Sequence, residues 1–519
     1  MLKIAIAQME VRAGHLNDNT SKMLKFIEEA KLHGADIIIF PKAAVTGRSL
    51  VGKAFKKEYQ ECLQEILQAG GNIKIVLEDE ADESFGFDIF SDAAPFITGN
   101  RKLRDEQLSR QAKASGRPII YVNCTGVQNT GKTIYPFEGG STVYNSKGDI
   151  VLRAKPFEES LSFVDLDKVD VMPPIVEPEE PEIAEVYRAL HGGVKHFLEQ
   201  IGMRKIVIGI SGGIDSAVDA ALYTRVLGAE NVLLVNMPSV FNSTTTKDLS
   251  KRLAENLGCN YMVVPIQESV DHTVKQLEST PMTYLTDGST RNIELSSFVR
   301  ENIQARDRSS RILAALAAAF GGGFTCNANK AETTIGYATM YGDCAGVVSA
   351  LADLWKYQVY ELARYLNDEV YKREAIPQGI IDIVPSAELS TAQNVDEGKG
   401  DPLKYPYHDY LFRAFVEAEV TPEEILQWYA DGTLEDKINC EKGLVAKYFA
   451  NAEEFINDLE RWWNMFTGIA VAKRIQAPPI IAVTSHAFGS DFPEAQGCTY
   501  YTRAYKALKE KLTKHQSKH

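Results

Sequence analysis

Basic excess is what this chain most plainly lacks: 56 Lys and Arg face 70 Asp and Glu, leaving a formal net charge of −14. Without surplus cations to displace a counterion atmosphere, it is not read as a nucleic-acid backbone binder. A nucleotide ligand stays open, because local amides and a few cations suffice to grip one. Cysteine is also sparse. The seven residues at 62, 124, 259, 326, 344, 440 and 498 contain no C-x-x-C pair. That argues against a zinc site or a disulfide framework and for reduced thiols in the cytoplasm. No apolar run nears the roughly 20 residues that span a bilayer, so no membrane association is expected. The opening Met-Leu-Lys-Ile-Ala-Ile-Ala-Gln turns polar by Glu10 and reads as a strand rather than a signal peptide.

What is present suits a layered α/β protein. The 519 residues are enough for two or three domains. Residues 171–182, VMPPIVEPEEPE, combine stiff prolines with self-repelling acids and are expected to be an extended linker. This predicts a first domain over 1–170 and a second over 183–519. In the first, strands at 3–8, 37–40, 118–122 and 140–145 alternate with helical spacing at 20–32. In the second, a helix at 183–199 precedes strands at 205–210, 232–237 and 261–265, with helices at 216–227 and 245–257 between them. That alternation predicts a doubly wound parallel sheet. Residues 311–320, rich in Ala and Leu, are expected to form a buried helix.

The chemistry begins at Ile208-Gly209-Ile210-Ser211-Gly212-Gly213-Ile214-Asp215-Ser216. The string follows a strand and opens a helix, so glycines let an anion approach the backbone at the positive end of the helix dipole. No lysine follows the glycines, so this is not the G-x-x-x-x-G-K-[ST] loop. Asp215 would repel bare phosphate, and makes sense there as a ligand of Mg²⁺.

SGGIDS resembles the signature of the N-type ATP pyrophosphatases, which split ATP between its α and β phosphates. Further strings resemble NAD synthetases: Glu301-Asn302-Ile303-Gln304-Ala305-Arg306-Asp307-Arg308, Asn329-Lys330-Ala331-Glu332, and Gly336-Tyr337-Ala338-Thr339-Met340-Tyr341-Gly342-Asp343. Asp353-Leu354-Trp355-Lys356, Pro385-Ser386-Ala387-Glu388-Leu389 and Gln476-Ala477-Pro478-Pro479 continue the match toward the long, glutamine-dependent type. The resemblance implies that the nicotinate carboxylate of deamido-NAD attacks the α-phosphate of ATP, and that ammonia then displaces AMP to give NAD. It assigns ATP to Ile210, Ser211, Gly212, Gly213, Ile214, Asp215, Ser216, Met237 and Asn327. Deamido-NAD falls to Asn302, Arg306, Glu332 and Tyr337, Mg²⁺ to Asp215 and Glu332, and catalytic roles to Asp343 and Lys356. Two positions depart from the family: Asn327 stands where a threonine is usual, and Ala482 where a lysine commonly follows the Pro-Pro turn. Residues 397–409 fall where the family has a mobile loop, so a lid is expected there.

Residues 1–170 resemble the nitrilase-like amidase domain that supplies ammonia in such enzymes, through Ile4-Ala5-Ile6-Ala7-Gln8, residues 34–41, Thr46-Gly47 and Gly139-Gly140-Ser141. That amidase needs a cysteine nucleophile, a glutamate base and a lysine. Here Lys42 takes the glutamate's place, Phe90 stands where the sulfur belongs, and no upstream segment supplies the lysine. Cys124 is expected to be an inert buried thiol. The expected whole is a degenerate, truncated nitrilase-like α/β sandwich followed by an ATP-pyrophosphatase domain. It would use free ammonia or a separate glutaminase, and assemble as a homo-oligomer. The alternatives are a glutamine-dependent synthetase with a rearranged amidase site and a silent nucleotide-binding scaffold. His191 and His196, flanking Gly192-Gly193, are read as a helix-end turn.

Overall fold

The computed structural model describes residues 2–48, 53–78, 86–129, 131–489 and 499–516. Two compact units emerge, Met1–Ile201 with Ile481–Ser485, and Gly202–Ile480 with His486–His519.

In the first unit the strands are β1 (Lys3–Gln8), β2 (Ile37–Ile39), β3 (Lys74–Val76), β4 (Asp88–Ser91), β5 (Ile119–Val122), β6 (Thr125–Gln128), β7 (Tyr135–Glu138), β8 (Thr142–Tyr144), β9 (Ile150–Arg153) and β10 (Ser160–Asp165). They form two four-stranded sheets, ordered β10-β1-β2-β3 and β4-β5-β8-β9, and the separate pair β6-β7. Alternation along the strands builds the core between the sheets. Ile4, Ile6, Ile37 and Ile39 from one sheet pack with Ile89, Ile120, Val122 and Val143 from the other. On the opposite face of β1, Ala5 and Ala7 are equally buried. The helix α1 (Leu16–Leu32) is the crossover from β1 to its parallel neighbour β2. It buries Leu16, Thr20, Met23, Ile27 and Ala30, a stripe at three- and four-residue spacing. After α2 (Lys53–Gly70) comes α3 (Asn100–Ser115), whose Leu108 and Ala112 pack on Ile119, Tyr121 and Tyr144.

Residues 173–181 run exposed and without regular structure, held where the Ile175 amide donates to the Ile150 carbonyl and Glu177 pairs with Arg153. The helix that follows, α4 (Glu182–Gln200), counts with the second domain on sequence but belongs to the first unit. It also corrects the turn expected at 191–196, because the helix runs straight through Gly192-Gly193. A β-carbon on Gly193 would sit 2.7 Å from Ile481 Cγ2 and 3.1 Å from Pro136 Cγ. The glycine there permits close packing rather than ending the helix.

The second unit opens with β11 (Ile206–Gly209), α5 (Ile214–Leu227), β12 (Val232–Asn236), α6 (Thr244–Leu257), β13 (Asn260–Val263) and α7 (Gln267–Ser279). The hairpin β14 (Met282–Thr283) and β15 (Thr290–Arg291) leads to α8 (Ser297–Arg306), α9 (Ala314–Phe320) and β16 (Gly323–Phe324). The sheet order is β13-β12-β11-β16, all parallel. Strand order reverses direction at β11, so the crevice beyond its carboxyl end is where such sheets bind ligands. The remainder is largely helical: α10 (Lys330–Ile335), α11 (Lys356–Tyr365), α12 (Gln378–Asp382), α13 (Tyr405–Glu417) and later helices. Trp462 is fully buried against Phe412 and His408.

Two expectations are corrected here. The helix expected at 311–320 begins as a wide π turn (Asp307–Leu313) and buries only one face. Ile312, Leu313 and Ala317 point inward while Ala315, Ala318 and Ala319 are exposed. The lid expected at 397–409 is only half loop, since Tyr405, Tyr407, His408 and Asp409 are buried on α13. Among the described residues no helix is long and apolar enough to cross a membrane.

Candidate functional site

The loop between β11 and α5 is shaped by its own hydroxyls. Ser211 Oγ accepts from the Gly213 amide at 3.1 Å, and Ser216 Oγ donates to the Gly213 carbonyl at 3.1 Å. Gly212 takes φ +89°, and a β-carbon there would meet the Thr246 carbonyl oxygen at 2.5 Å. Glycine is therefore required by conformation and by space. The loop opens into a cavity of about 1080 Å³, just above the usual range for small-molecule sites.

Every residue assigned to the site on sequence lines this cavity except Gly212: Ile210, Ser211, Gly213, Ile214, Asp215, Ser216, Met237, Asn302, Arg306, Asn327, Glu332, Tyr337, Asp343 and Lys356. At its centre, Lys356 Nζ donates to Asp215 Oδ2 at 2.5 Å and lies 3.5 Å from Glu332 Oε1. Burial would pull the Lys356 ammonium down, but Asp215 and then Glu332 outweigh it, and its pKa is raised. Burial, then the Asp215 charge, pushes the Glu332 carboxyl up. Asn329 ties the two acids together. Its side chain donates to Asp215 Oδ1 at 3.0 Å and accepts from the Glu332 amide at 3.1 Å, capping α10.

The other residues divide between lining and scaffolding. Asn327 donates to the Gly209 carbonyl at 3.0 Å and accepts from Thr325 Oγ1 at 2.6 Å. Its amide thus braces the ends of β11 and β16 while facing the cavity. Asp343 is exposed to the cavity and accepts from the Thr339 amide at 2.7 Å. Protein crowding around it still raises its pKa. Arg306 donates to the Met340 carbonyl at 3.1 Å, and Asn302 to the Phe298 carbonyl at 2.7 Å. Tyr337 donates to Asp401 Oδ1 at 3.2 Å, with Gln393 bonded to both, so residues 385–402 are strapped over one wall.

Sequence reasoning missed Arg308, Asp401 and Lys473, which line the cavity, and Tyr405, which reaches it through Glu332. Arg308 ends a quoted string, yet only the fold shows it in the cavity, donating to the Met237 carbonyl at 3.0 Å. Burial pulls it down to about 10, so it keeps its charge at neutral pH. Tyr405 donates to Glu332 Oε1 at 3.1 Å, and its ring lies 4.7 Å from Lys356 Nζ.

Residues 186–439 match the NAD synthase family, and residues 3–83 match the carbon-nitrogen hydrolase family. A glutamine-dependent NAD(+) synthetase from a Synechocystis species is 33% identical over 427 residues, covering 80% of this chain and 66% of the relative. Its counterpart from Thermotoga maritima is 30% identical, covering 77% and 68%. The chain belongs to the NAD synthetase family. It spans about two thirds of the length of these two relatives. A solved glutamine-dependent NAD⁺ synthetase from Acinetobacter baumannii, in complex with ADP, shares the fold. Its TM-score is 0.63 at 23% identity, covering 95% of this chain and 98% of that one. The nitrilase-like first unit and the parallel-sheet synthetase unit agree with the expected fold class.

In the first unit the three residues singled out on sequence, Lys42, Phe90 and Cys124, sit in different surroundings. Lys42 is exposed. Phe90 lies on β4 and packs against the cluster of Leu108, Ala112, Ile119, Tyr121 and Tyr144. Cys124 is fully buried, accepts weakly from Gln128 Nε2 at 3.8 Å, and has its thiol pushed up to about 12 by burial. Cys498 lies outside the described residues.

Proposed function

We propose that this protein adenylates the nicotinate carboxylate of deamido-NAD with ATP and amidates it with free ammonia, releasing AMP, pyrophosphate and NAD. The observation that carries this reading is Lys356 held between Asp215 and Glu332 directly beside the Ser211–Ser216 loop. A carboxylate oxygen of deamido-NAD attacks the α-phosphorus, and the bond from that phosphorus to the β-phosphate bridging oxygen breaks. The loop amides at the α5 N-terminus and the two serine hydroxyls receive the departing pyrophosphate. The Lys356 ammonium offsets the charge that grows on the phosphates. Ammonia nitrogen then bonds to the acyl carbon, the acyl–oxygen bond to AMP breaks, and one proton leaves the nitrogen. Asp343, with its raised pKa, is suited to accept that proton. Asn302, Arg306 and Tyr337 hold the dinucleotide, and Met237 borders the adenosine.

Asp215 and Glu332 fit Mg²⁺. Both are hard oxygen donors, and in the protein their charge draws the Lys356 ammonium between them. Among the described residues no three or more His, Cys, Asp or Glu side chains group to hold a metal unaided. Two carboxylates completed by phosphate oxygens is the usual Mg²⁺ arrangement. When bound, the ion would neutralise the triphosphate and polarise its α-phosphorus.

The first unit bears on the nitrogen source. A buried thiol near 12, a phenylalanine in a hydrophobic cluster and an exposed lysine supply neither nucleophile nor base, which supports a silent amidase. Ammonia would then come from solution or from a separate glutaminase. The relatives' names favour the rival reading, glutamine use through a rearranged site. Comparing initial rates on ammonium and on glutamine separates the two. Self-assembly in the cytoplasm is part of the same reading. Exposed apolar residues Met262, Val263 and Leu277 on β13 and α7 support the assembly part of it.

A further inference from the structure

Two side chains buried behind the site form an ion pair that the reaction does not use. Lys330 Nζ donates to Asp353 Oδ1 at 2.7 Å, and both side chains are 0% exposed. Taking two charges out of water is costly, and an apolar pair of similar volume often serves a core as well or better. Each partner also sits next to a residue at the centre of the cavity. Lys330 lies between Asn329, which bonds Asp215, and the segment carrying Glu332. Asp353 precedes Lys356 by one turn of irregular chain that has no helix or strand to stiffen it.

The pair belongs to a closed circuit. The Lys330 amide donates to the Leu354 carbonyl at 2.7 Å, reinforcing the same junction through the backbone. Glu417 Oε1 accepts from Trp355 Nε1 at 2.7 Å and lies 3.7 Å from Lys330 Nζ. Glu417 ends α13, whose first residue, Tyr405, donates to Glu332. Midway along that helix, Asp409 accepts from the Tyr357 amide at 2.9 Å, at the start of α11. The circuit therefore runs from Lys330 through Asp353 to Lys356, across to Glu332, through Tyr405 along α13, and back by Glu417.

We propose that the Lys330–Asp353 pair is a positioning device, holding the first residue of α10 against the turn that leads into α11 so that Glu332 and Lys356 face each other at the reacting phosphate. Neither residue touches a substrate; both act through Glu332 and Lys356. The proposal rests on the adenylation reading above.

The test is the double variant Lys330→Met with Asp353→Leu, which fills the core and removes both charges, alongside Asp353→Asn, which keeps the shape and weakens one link. Folding is followed by denaturant titration, and NAD formation from ATP, deamido-NAD and ammonium by initial rates. The expected result is a folded double variant whose kcat falls at least tenfold, with the KM values for ATP and deamido-NAD within threefold of the parent. Asp353→Asn should fall in between, and it decides alone if the double variant does not fold. A crystal structure of a folded variant gives a reading free of activity: the separation of Lys356 Nζ from Glu332 should open beyond ion-pair range. A folded variant with kcat within twofold of the parent, a rise in KM alone, or an unchanged separation would overturn the proposal. If the parent forms no NAD, the adenylation reading fails and the structural arm decides this one.

Discussion

Lys356 donates to Asp215 across 2.5 Å, joining the start of α11 to the start of α5 with the Lys356 side chain only 3% exposed. The contact joins residues 141 positions apart and places a buried cation of the cavity beside the glycine loop. It also means that each charge has been brought into the protein on condition of the other.

Lys356→Met should therefore act on both rate and fold. Removing the ammonium takes away charge compensation at the phosphates, and we expect kcat to fall by about 10²-fold or more. It also leaves Asp215 and Glu332 facing each other with no cation between them, a loss of about 3 kcal/mol. Steady-state kinetics and urea titration on one preparation check both. A variant with parental kcat would remove Lys356 from the reaction.

Gly212→Ala tests the loop. The alanine must hold φ +89° with its β-carbon 2.5 Å from the Thr246 carbonyl, so the loop or α6 must move. Strain of this kind costs about 1–3 kcal/mol. ATP binding by calorimetry should weaken at least tenfold. Unchanged affinity would show that the backbone at 212 does not shape the phosphate site.

A stability effect of pH should trace to His408. Its Nδ1 accepts from the Lys404 amide at 2.8 Å and its Nε2 faces Asp458 at 2.9 Å, so the neutral ring donating from Nε2 satisfies both partners. Burial lowers its pKa from the ordinary 6.5, against the pull of Asp458. A group with a lowered folded pKa binds its proton more readily when unfolded. The stability it gives is present above 6.5 and is lost as pH falls below that value toward the folded pKa. Urea midpoints should drop between pH 7.5 and 5.5, and the drop should shrink in His408→Gln. An equal drop in both proteins would place the titration elsewhere.

Cys124→Ala probes the first unit. The change removes one sulfur from a fully buried site and should cost about 1–2 kcal/mol of stability through the small cavity left. Ammonium-supported NAD formation should stay within twofold of the parent. Iodoacetamide should leave Cys124 unlabelled in the native protein, by mass spectrometry, because its thiol sits near 12. Rapid labelling at neutral pH would point to a working thiolate.

Local signals were legible in the sequence and long-range ones were not. Strand β1 falls at Lys3–Gln8 as the alternation predicts, and α5 begins within two residues of its expected start. The glycine loop could be read because its residues are contiguous in the chain, and the strings ending at Glu332, Asp343 and Lys356 because each is a short local match to a known family. Tyr405 and Asp401 escaped because their partners, Glu332 and Tyr337, lie 73 and 64 residues away, and no periodicity encodes such a meeting. The placement of α4 turned on the same kind of contact, Gly193 against Ile481, which cannot be seen from the glycine pair itself. The alanine-rich stretch at 311–320 misled for a different reason. Small apolar residues cost little at the surface, so composition alone overstates their burial.

The most direct measurement is the initial rate of NAD formation from ATP and deamido-NAD, with ammonium and with glutamine in turn, on one preparation of the full chain. The expected result is saturable NAD formation with ammonium, one AMP and one pyrophosphate released per NAD, and no rate above background with glutamine. Glutamine-supported turnover comparable to that with ammonium would contradict the silent amidase, and no NAD with either nitrogen source would contradict the adenylation of deamido-NAD itself.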